Sequence, residues 1–223
     1  MISVAIDGPS GAGKSTLARR LAQELGYVYV DTGAMYRSIG LYVLEHGGDV
    51  KDEAQVTAFL KDIEIQLCYE NGSQHILLCG KDVSEAIRAE QVGMAASSVS
   101  PYPAVRAFLL ETQRSMARSQ NVLMDGRDIG TVVLPDAQVK IFLTASSKAR
   151  AERRQKELLA KGVQADFETV LHDIEQRDWQ DTHRETAPLR QAEDAVLVDT
   201  SELNFEESFE ALKKVILEKT GEA

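Results

Sequence analysis

Cysteine is nearly absent from this chain: 223 residues hold two, Cys68 and Cys79. Two thiols cannot make the disulfide framework of a small secreted fold, and neither has the neighbours of a metal site. Both are expected as small apolar fillers in a reducing compartment. The histidines His46, His75, His172 and His183 lack metal-ligand spacing and are expected in solvated or capping roles. No run of about 18 apolar residues occurs, and no basic region followed by a long apolar stretch stands near Met1, so neither a membrane span nor a secretion signal is expected. The expected location is the cytoplasm. Positive charge is also in short supply, with 25 Lys and Arg against 35 Asp and Glu and a formal net charge of −10. That balance argues against the basic footprint of a polymeric nucleic-acid or membrane-surface binder. A local cluster of arginines could still hold one small anion. Repeats and low-complexity segments are missing as well.

What is present is a complete phosphate-binding pattern, G-x-x-x-x-G-K-[ST], written Gly8-Pro9-Ser10-Gly11-Ala12-Gly13-Lys14-Ser15 and followed by Thr16. Before it runs the apolar segment Ile2-Ser3-Val4-Ala5-Ile6, short enough for a buried strand. After it, Leu17, Ala18, Leu21, Ala22 and Leu25 recur at helical spacing. A loop between strand and helix is where this chemistry works. Glycines let backbone N–H groups turn inward around phosphates, and the helix N-terminus adds a favourable dipole. Lys14 can then reach the β and γ oxygens of a nucleoside triphosphate, and Ser15 can ligate Mg2+.

The rest of the chain reads as an α/β fold with a parallel sheet. Tyr27–Val30 has strand composition, and Met35, Ile39, Tyr42 and Val43 mark a helix after it. Further strands are expected at Asn121–Asp125, Val139–Leu143 and Ala195–Asp199, giving five core strands with helices on both faces. From Ile63 to about Val83 the pattern alternates instead, and Asn71-Gly72 offers a hairpin turn, so antiparallel β is inserted there between flanking helices. From about Ala165 to Arg184 a long helix is expected on the stripe Phe167, Val170, Leu171 and Ile174. Its end presents Arg177, Asp181 and Arg184 in one direction, which fits either a pocket wall or a solvated charged terminus.

In a doubly wound sheet the ligand lies beyond the C-terminal ends of the strands, where Asp31-Thr32-Gly33 and Asp125-Gly126-Arg127-Asp128 fall. Asp125 suits either the water shell of a Mg2+ ion or a strand-ending turn. Arg127 is a bidentate phosphate donor, and Asp128 beside it can accept from an amino group of a base or a ribose hydroxyl. Arg37, one turn past Gly33, suits a second phosphate. Arg150, Arg153 and Arg154 stand at i, i+3, i+4 after a serine able to cap their helix, either as an arginine lid or as counterions to Glu152 and Glu157. Phosphoryl transfer between two anionic partners needs neutralised charge, in-line placement and exclusion of water, which arginines around a lysine and Mg2+ supply. The Asn-Lys-x-Asp base signature of a hydrolytic switch protein is not found.

These segments together resemble the bacterial cytidylate (CMP/dCMP) kinases among the nucleoside monophosphate kinases, over nearly the full length. The resemblance rests on residues 7–16, 31–37, 125–133 and 139–143, and on Arg177-Asp178, Asp181 and Arg184 before Ala187-Pro188-Leu189. It implies transfer of the ATP γ-phosphoryl group to CMP or dCMP, with Mg2+ as cofactor. Thr32, Arg106 and Asp128 would recognise cytosine; Arg37, Arg127 and Arg184 would hold the acceptor phosphate; Arg177 and Asp181 would contact the sugar. Lys14, Arg127, Arg184 and Arg153 form the expected catalytic set, and Arg150 and Arg154 join residues 8–16 in binding ATP. The expected organisation is one kinase domain with core 1–35, 105–145 and 185–223, a monophosphate-binding insertion over about 36–104 and a lid over about 146–184, acting as a monomer. A kinase for UMP or a non-nucleotide alcohol, and an ATP-binding regulatory module without turnover, are the competing readings. An uncharged acceptor would not need Arg37, Arg127 and Arg184.

Overall fold

The computed structural model describes residues 1–70 and 73–221, so the expected turn at Asn71-Gly72 lies outside the described residues. Contacts divide the chain into two compact units, Met1–Val28 with Gln120–Ala223, and Tyr29–Ser119. The elements in order are β1 (Ser3–Asp7), α1 (Lys14–Leu25), β2 (Val28–Asp31), α2 (Thr32–Glu45), α3 (Glu53–Phe59), β3 (Ile65–Glu70), β4 (Ser73–Leu78), β5 (Lys81–Asp82), α4 (Glu90–Val99), α5 (Pro103–Ser119), β6 (Val122–Gly126), β7 (Val139–Thr144), α6 (Ser147–Ala160), α7 (Phe167–His183), β8 (Val196–Asp199) and α8 (Phe205–Thr220).

One sheet has five strands in the order β2-β6-β1-β7-β8. β1 runs parallel to both β6 and β7, and β7 parallel to β8. The central strands are continuous apolar runs because neither face meets water: Val4, Ala5, Ile6, Leu123, Ile141 and Leu143 are buried. Their register brings the C-terminal ends level, with Ile6 opposite Asp125, and Asp7 opposite both Gly126 and Phe142. Polar residues therefore gather at one edge of an apolar sheet.

Boundaries moved by a residue for identifiable reasons. Tyr27 belongs to the end of α1 rather than to β2, since its N–H donates to Ala22 O (2.8 Å) around Gly26, whose φ of 68° a side chain would resist. β1 extends to Asp7 because that residue still pairs with Gly126. α8 begins with a reciprocal Asn204–Glu207 capping box and covers the sheet with Phe209, Leu212 and Ile216. α6 and α7 pack through Ala151, Val170 and Ile174. The expected serine cap of α6 is Ser146, whose Oγ accepts from Ala149 N (3.2 Å).

The second unit carries the three-stranded antiparallel sheet β3-β4-β5. Its core joins Met35, Ile39 and Val43 of α2 to Ile76 and Leu78 of β4, Ile87, Val92 and Val99, and Val105 and Leu109 of α5. Among the described residues, no helix is long and apolar enough to cross a membrane.

Candidate active site

The phosphate loop leaves β1 through Gly8, whose backbone passes so close to β7 that a Cβ there would lie 1.9 Å from Leu143 O. Only glycine fits. The loop enters α1 through Gly13, which sits in the left-handed region (φ 87°) and offers no side-chain cap, so no capping hydroxyl of that residue competes with an anion for the first N–H groups of α1. Lys14 is buried, with Nζ donating to Pro9 O at 2.7 Å. Burial, followed by the nearby Arg127 charge, pulls its pKa well below that of an ordinary lysine, against the pull of Asp125, Asp181 and Asp7. A cation held under that strain is poised for a polyanion.

Ser15, one residue on, donates its hydroxyl to Asp125 Oδ2 at 2.8 Å, tying the first turn of α1 to the end of β6. Arg127 follows on the same segment, its Nε bonded to Asp181 Oδ2 of α7 at 2.7 Å. Burial alone would raise the Asp181 pKa, but the charge and hydrogen bond of Arg127, with Arg177 and Arg184, hold it below the usual carboxylate range. Arg184, just past α7, donates Nε to Ala187 O (2.8 Å) and Nη2 to Asp128 Oδ1 (3.3 Å). Its pair with Asp128 is nearly enclosed, both side chains being 6% exposed. Ala187 accepts that bond from a left-handed conformation, φ 48°. Residues 125–128 and the end of α7 thus form one network of alternating charge.

The three arginines of α6 do not gather on one target. Arg150 is buried and closes the loop from outside: Nη1 reaches Ser10 O (2.9 Å), Nε reaches Ala145 O (2.9 Å), and the fork holds both oxygens of Asp178. Arg153 turns the other way, to Thr200 O (2.5 Å) and Leu203 O (3.3 Å), and so ties α6 to the segment after β8. Arg154 pairs at the surface with Glu157. Spacing placed the three on one side of a helix; the different neighbours on its two flanks separate them.

Within the second unit, Asp31 divides its carboxylate. Oδ1 caps α2 by accepting from Ala34 N (2.9 Å) and Oδ2 holds Arg37 Nη2 (2.9 Å). Thr32 is buried beside it. Arg106 of α5 donates to Ser100 O (3.1 Å) and lies over the Tyr36 ring at 5.7 Å.

Two participants escaped the sequence reading. Asp178 stood within a quoted motif without a role and proves to be the partner of Arg150. Asp7 is buried at the end of β1 and accepts from the N–H groups of Ile129 and Gly130, both at 2.7 Å. The available signal was a carboxylate closing an otherwise apolar strand directly before the loop.

A parallel sheet with a glycine-walled loop at its edge, a buried lysine on that loop and a hydroxyl–carboxylate pair beside it define a phosphate-loop nucleotide-binding protein of the kinase type. The family model described as cytidylate kinase matches residues 4–218. A cytidylate kinase from Geobacillus kaustophilus (strain HTA426) is 48% identical over 220 residues, covering 99% of this chain and 98% of the relative. Another from Carboxydothermus hydrogenoformans is 49% identical over 213 residues, covering 96% of each. A solved shikimate kinase from Bacteroides thetaiotaomicron aligns over 99% of this chain and 98% of its own, at 13% identity and a TM-score of 0.48. The chain belongs to the cytidylate kinase family.

Proposed function

We infer that this protein transfers the γ-phosphoryl group of ATP to CMP or dCMP, giving ADP and CDP or dCDP. The observation that carries the reading is the convergence of Lys14, the Ser15–Asp125 pair and the Arg127–Asp181 and Arg184–Asp128 pairs at the C-terminal edge of one parallel sheet. In phosphoryl transfer the protein contributes position and charge more than covalent chemistry, and this edge supplies both.

Residues 8–16 cradle the donor phosphates with backbone N–H groups, and Lys14 follows the negative charge as it shifts from the γ-phosphoryl group to the leaving diphosphate. Arg150 and Arg154 support the donor side. Arg127, Arg184 and Arg37 neutralise the acceptor phosphate. That neutralisation lets two anions approach, an approach that water at ordinary dielectric would oppose by about 1 kcal/mol per charge pair at 4 Å and a dry site by several times more. Asp128, Thr32 and Arg106 read the cytosine, while Arg177 and Asp181 meet the sugar. The Ser15 hydroxyl and the Asp125 carboxylate fit Mg2+, a hard cation bound through oxygen, with Ser15 as direct ligand and Asp125 acting through a water. Held there, such an ion would supply positive charge to offset that of the donor phosphates. Residues 146–184 act as a lid, 36–104 as the monophosphate-binding insertion, and the remainder as core. The working form is a cytoplasmic monomer.

The test is an ADP-release assay with ATP and Mg2+ against CMP, dCMP, UMP, AMP and GMP, with an acceptor-free control. Strong preference for CMP and dCMP supports the reading. Equal turnover with UMP moves the base assignment, and the lack of any acceptor-dependent turnover by folded, ATP-binding protein sinks it.

A further inference from the structure

After Asp128 the chain makes one wide π-type turn, Ile129–Val133, in which Val133 N donates to Asp128 O (3.2 Å) and Leu134 N to Ile129 O (2.7 Å). The first N–H groups of such a turn have no partner within it and need an acceptor. The residue at the cap position is Asp128, and an aspartate there ordinarily folds its own carboxylate back onto these amides. Here it does not: the Asp128 side chain makes no cap bond, and its Oδ1 faces Arg184 instead. Asp7 takes over the cap from the neighbouring strand, one oxygen on Ile129 N and the other on Gly130 N, each at 2.7 Å. The fit depends on Gly130, where a Cβ would press at 3.2–3.4 Å against Lys140 and Asp7 Oδ2.

We propose that Asp7 is a positioning residue for the acceptor site, which caps the turn after Asp128 from β1 and so releases the Asp128 carboxylate to face Arg184 and the acceptor nucleotide. Asp7 itself touches no substrate in this arrangement; it acts through Asp128. The inference rests on the acceptor role given above to Asp128. Without the Asp7 carboxylate, two buried amides lose their acceptor, and the nearest replacement is the Asp128 side chain, which would abandon its direction toward Arg184.

Asp7→Asn is the informative variant, because its amide keeps the shape but presents an N–H to one of the two donors. The expected result is a KM for CMP raised by at least about tenfold, with the KM for ATP within about twofold of the parent. The same substitution made on an Asp128→Asn background should add less than about twofold, since its route of action is already gone. Equal rises in both KM values, or full additivity in the double variant, would overturn the proposal and leave Asp7 a merely structural residue. Should Asp7→Asn not fold, amide exchange in the unaltered protein decides: Ile129 and Gly130 are expected to be protected, and exchange at open-loop rates rejects the cap. Absence of CMP turnover in the parent enzyme would instead reject the function itself, and the exchange result would still report on the cap.

Discussion

Ser15 Oγ stands 2.8 Å from Asp125 Oδ2, a bond that spans 110 residues of sequence and joins the phosphate loop to the second strand of the site. It places one hydroxyl and one carboxylate at a single point, where the proposed Mg2+ ion and its water shell would meet the protein. Asp125→Asn keeps the hydrogen-bonding shape and removes the charge. The Mg2+ concentration giving half-maximal turnover should rise by about tenfold with little change in melting temperature. An unaltered Mg2+ titration would remove Asp125 from the metal site.

Burial pulls the Lys14 pKa down, so its charged form opposes folding, whereas the role proposed for it is to meet the donor phosphates. Lys14→Met preserves most of the volume. Turnover is expected to fall by about a hundredfold or more, whereas the melting temperature should stay level or rise. Circular-dichroism melts beside steady-state assays test the split, and near-normal turnover in the folded variant would end the assignment.

Asp7 has its pKa raised from 3.8 to about 6, chiefly by burial, with the Asp128 charge adding to the shift and the two amide bonds opposing it. Because the folded-state value lies above the unfolded one, the folded chain binds the extra proton between them. The stability Asp7 contributes is therefore full below pH 3.8 and is lost as pH rises through about 6. A shift of that size corresponds to about 3 kcal/mol. Urea midpoints of the parent relative to Asp7→Asn should thus favour the parent more at acid pH than at neutral pH. A difference that grows with pH would contradict the sign.

Asp128→Ala should raise the KM for CMP by about ten- to a hundredfold, the range for loss of a charged hydrogen bond, and leave ATP binding within about twofold. Isothermal titration with each nucleotide separates the two. An equal loss for donor and acceptor would show that base recognition lies elsewhere.

Gly8→Ala tests the loop as a backbone object. Its Cβ would overlap Leu143 O, so β1 and β7 would have to part at the site, and a loss of at least about 1–3 kcal/mol in stability is expected together with nucleotide binding. A variant with parental stability and affinity would mean that the strands can yield there.

Much of this was legible from residue order. The apolar runs around Val4, Leu123 and Ile141 announced strands because buried parallel strands admit no polar alternation, and the glycines of residues 8–13 announced the loop because few other residues fit. The directions of long side chains were not legible. Arg153 and Arg150 share a helix and a spacing, yet one reaches the loop and the other Thr200, a choice made by neighbours distant in sequence. The wide turn at Ile129–Val133 was hidden because five residues, four of them β-branched beside Gly130, carry no helical period. Its cap was hidden for a further reason: Asp7 and Ile129 are 122 residues apart and meet only through strand register.

Asp31 holds Arg37 with one oxygen while its other oxygen is fixed on Ala34 N, so the guanidinium is tethered to a group that is itself immobile. An arginine side chain free in water has about 2 kcal/mol of rotamer entropy to lose when it is fixed. For Arg37 that ordering belongs to the folding of its unit, and a phosphate bound there as proposed would meet a donor whose freedom has already been surrendered.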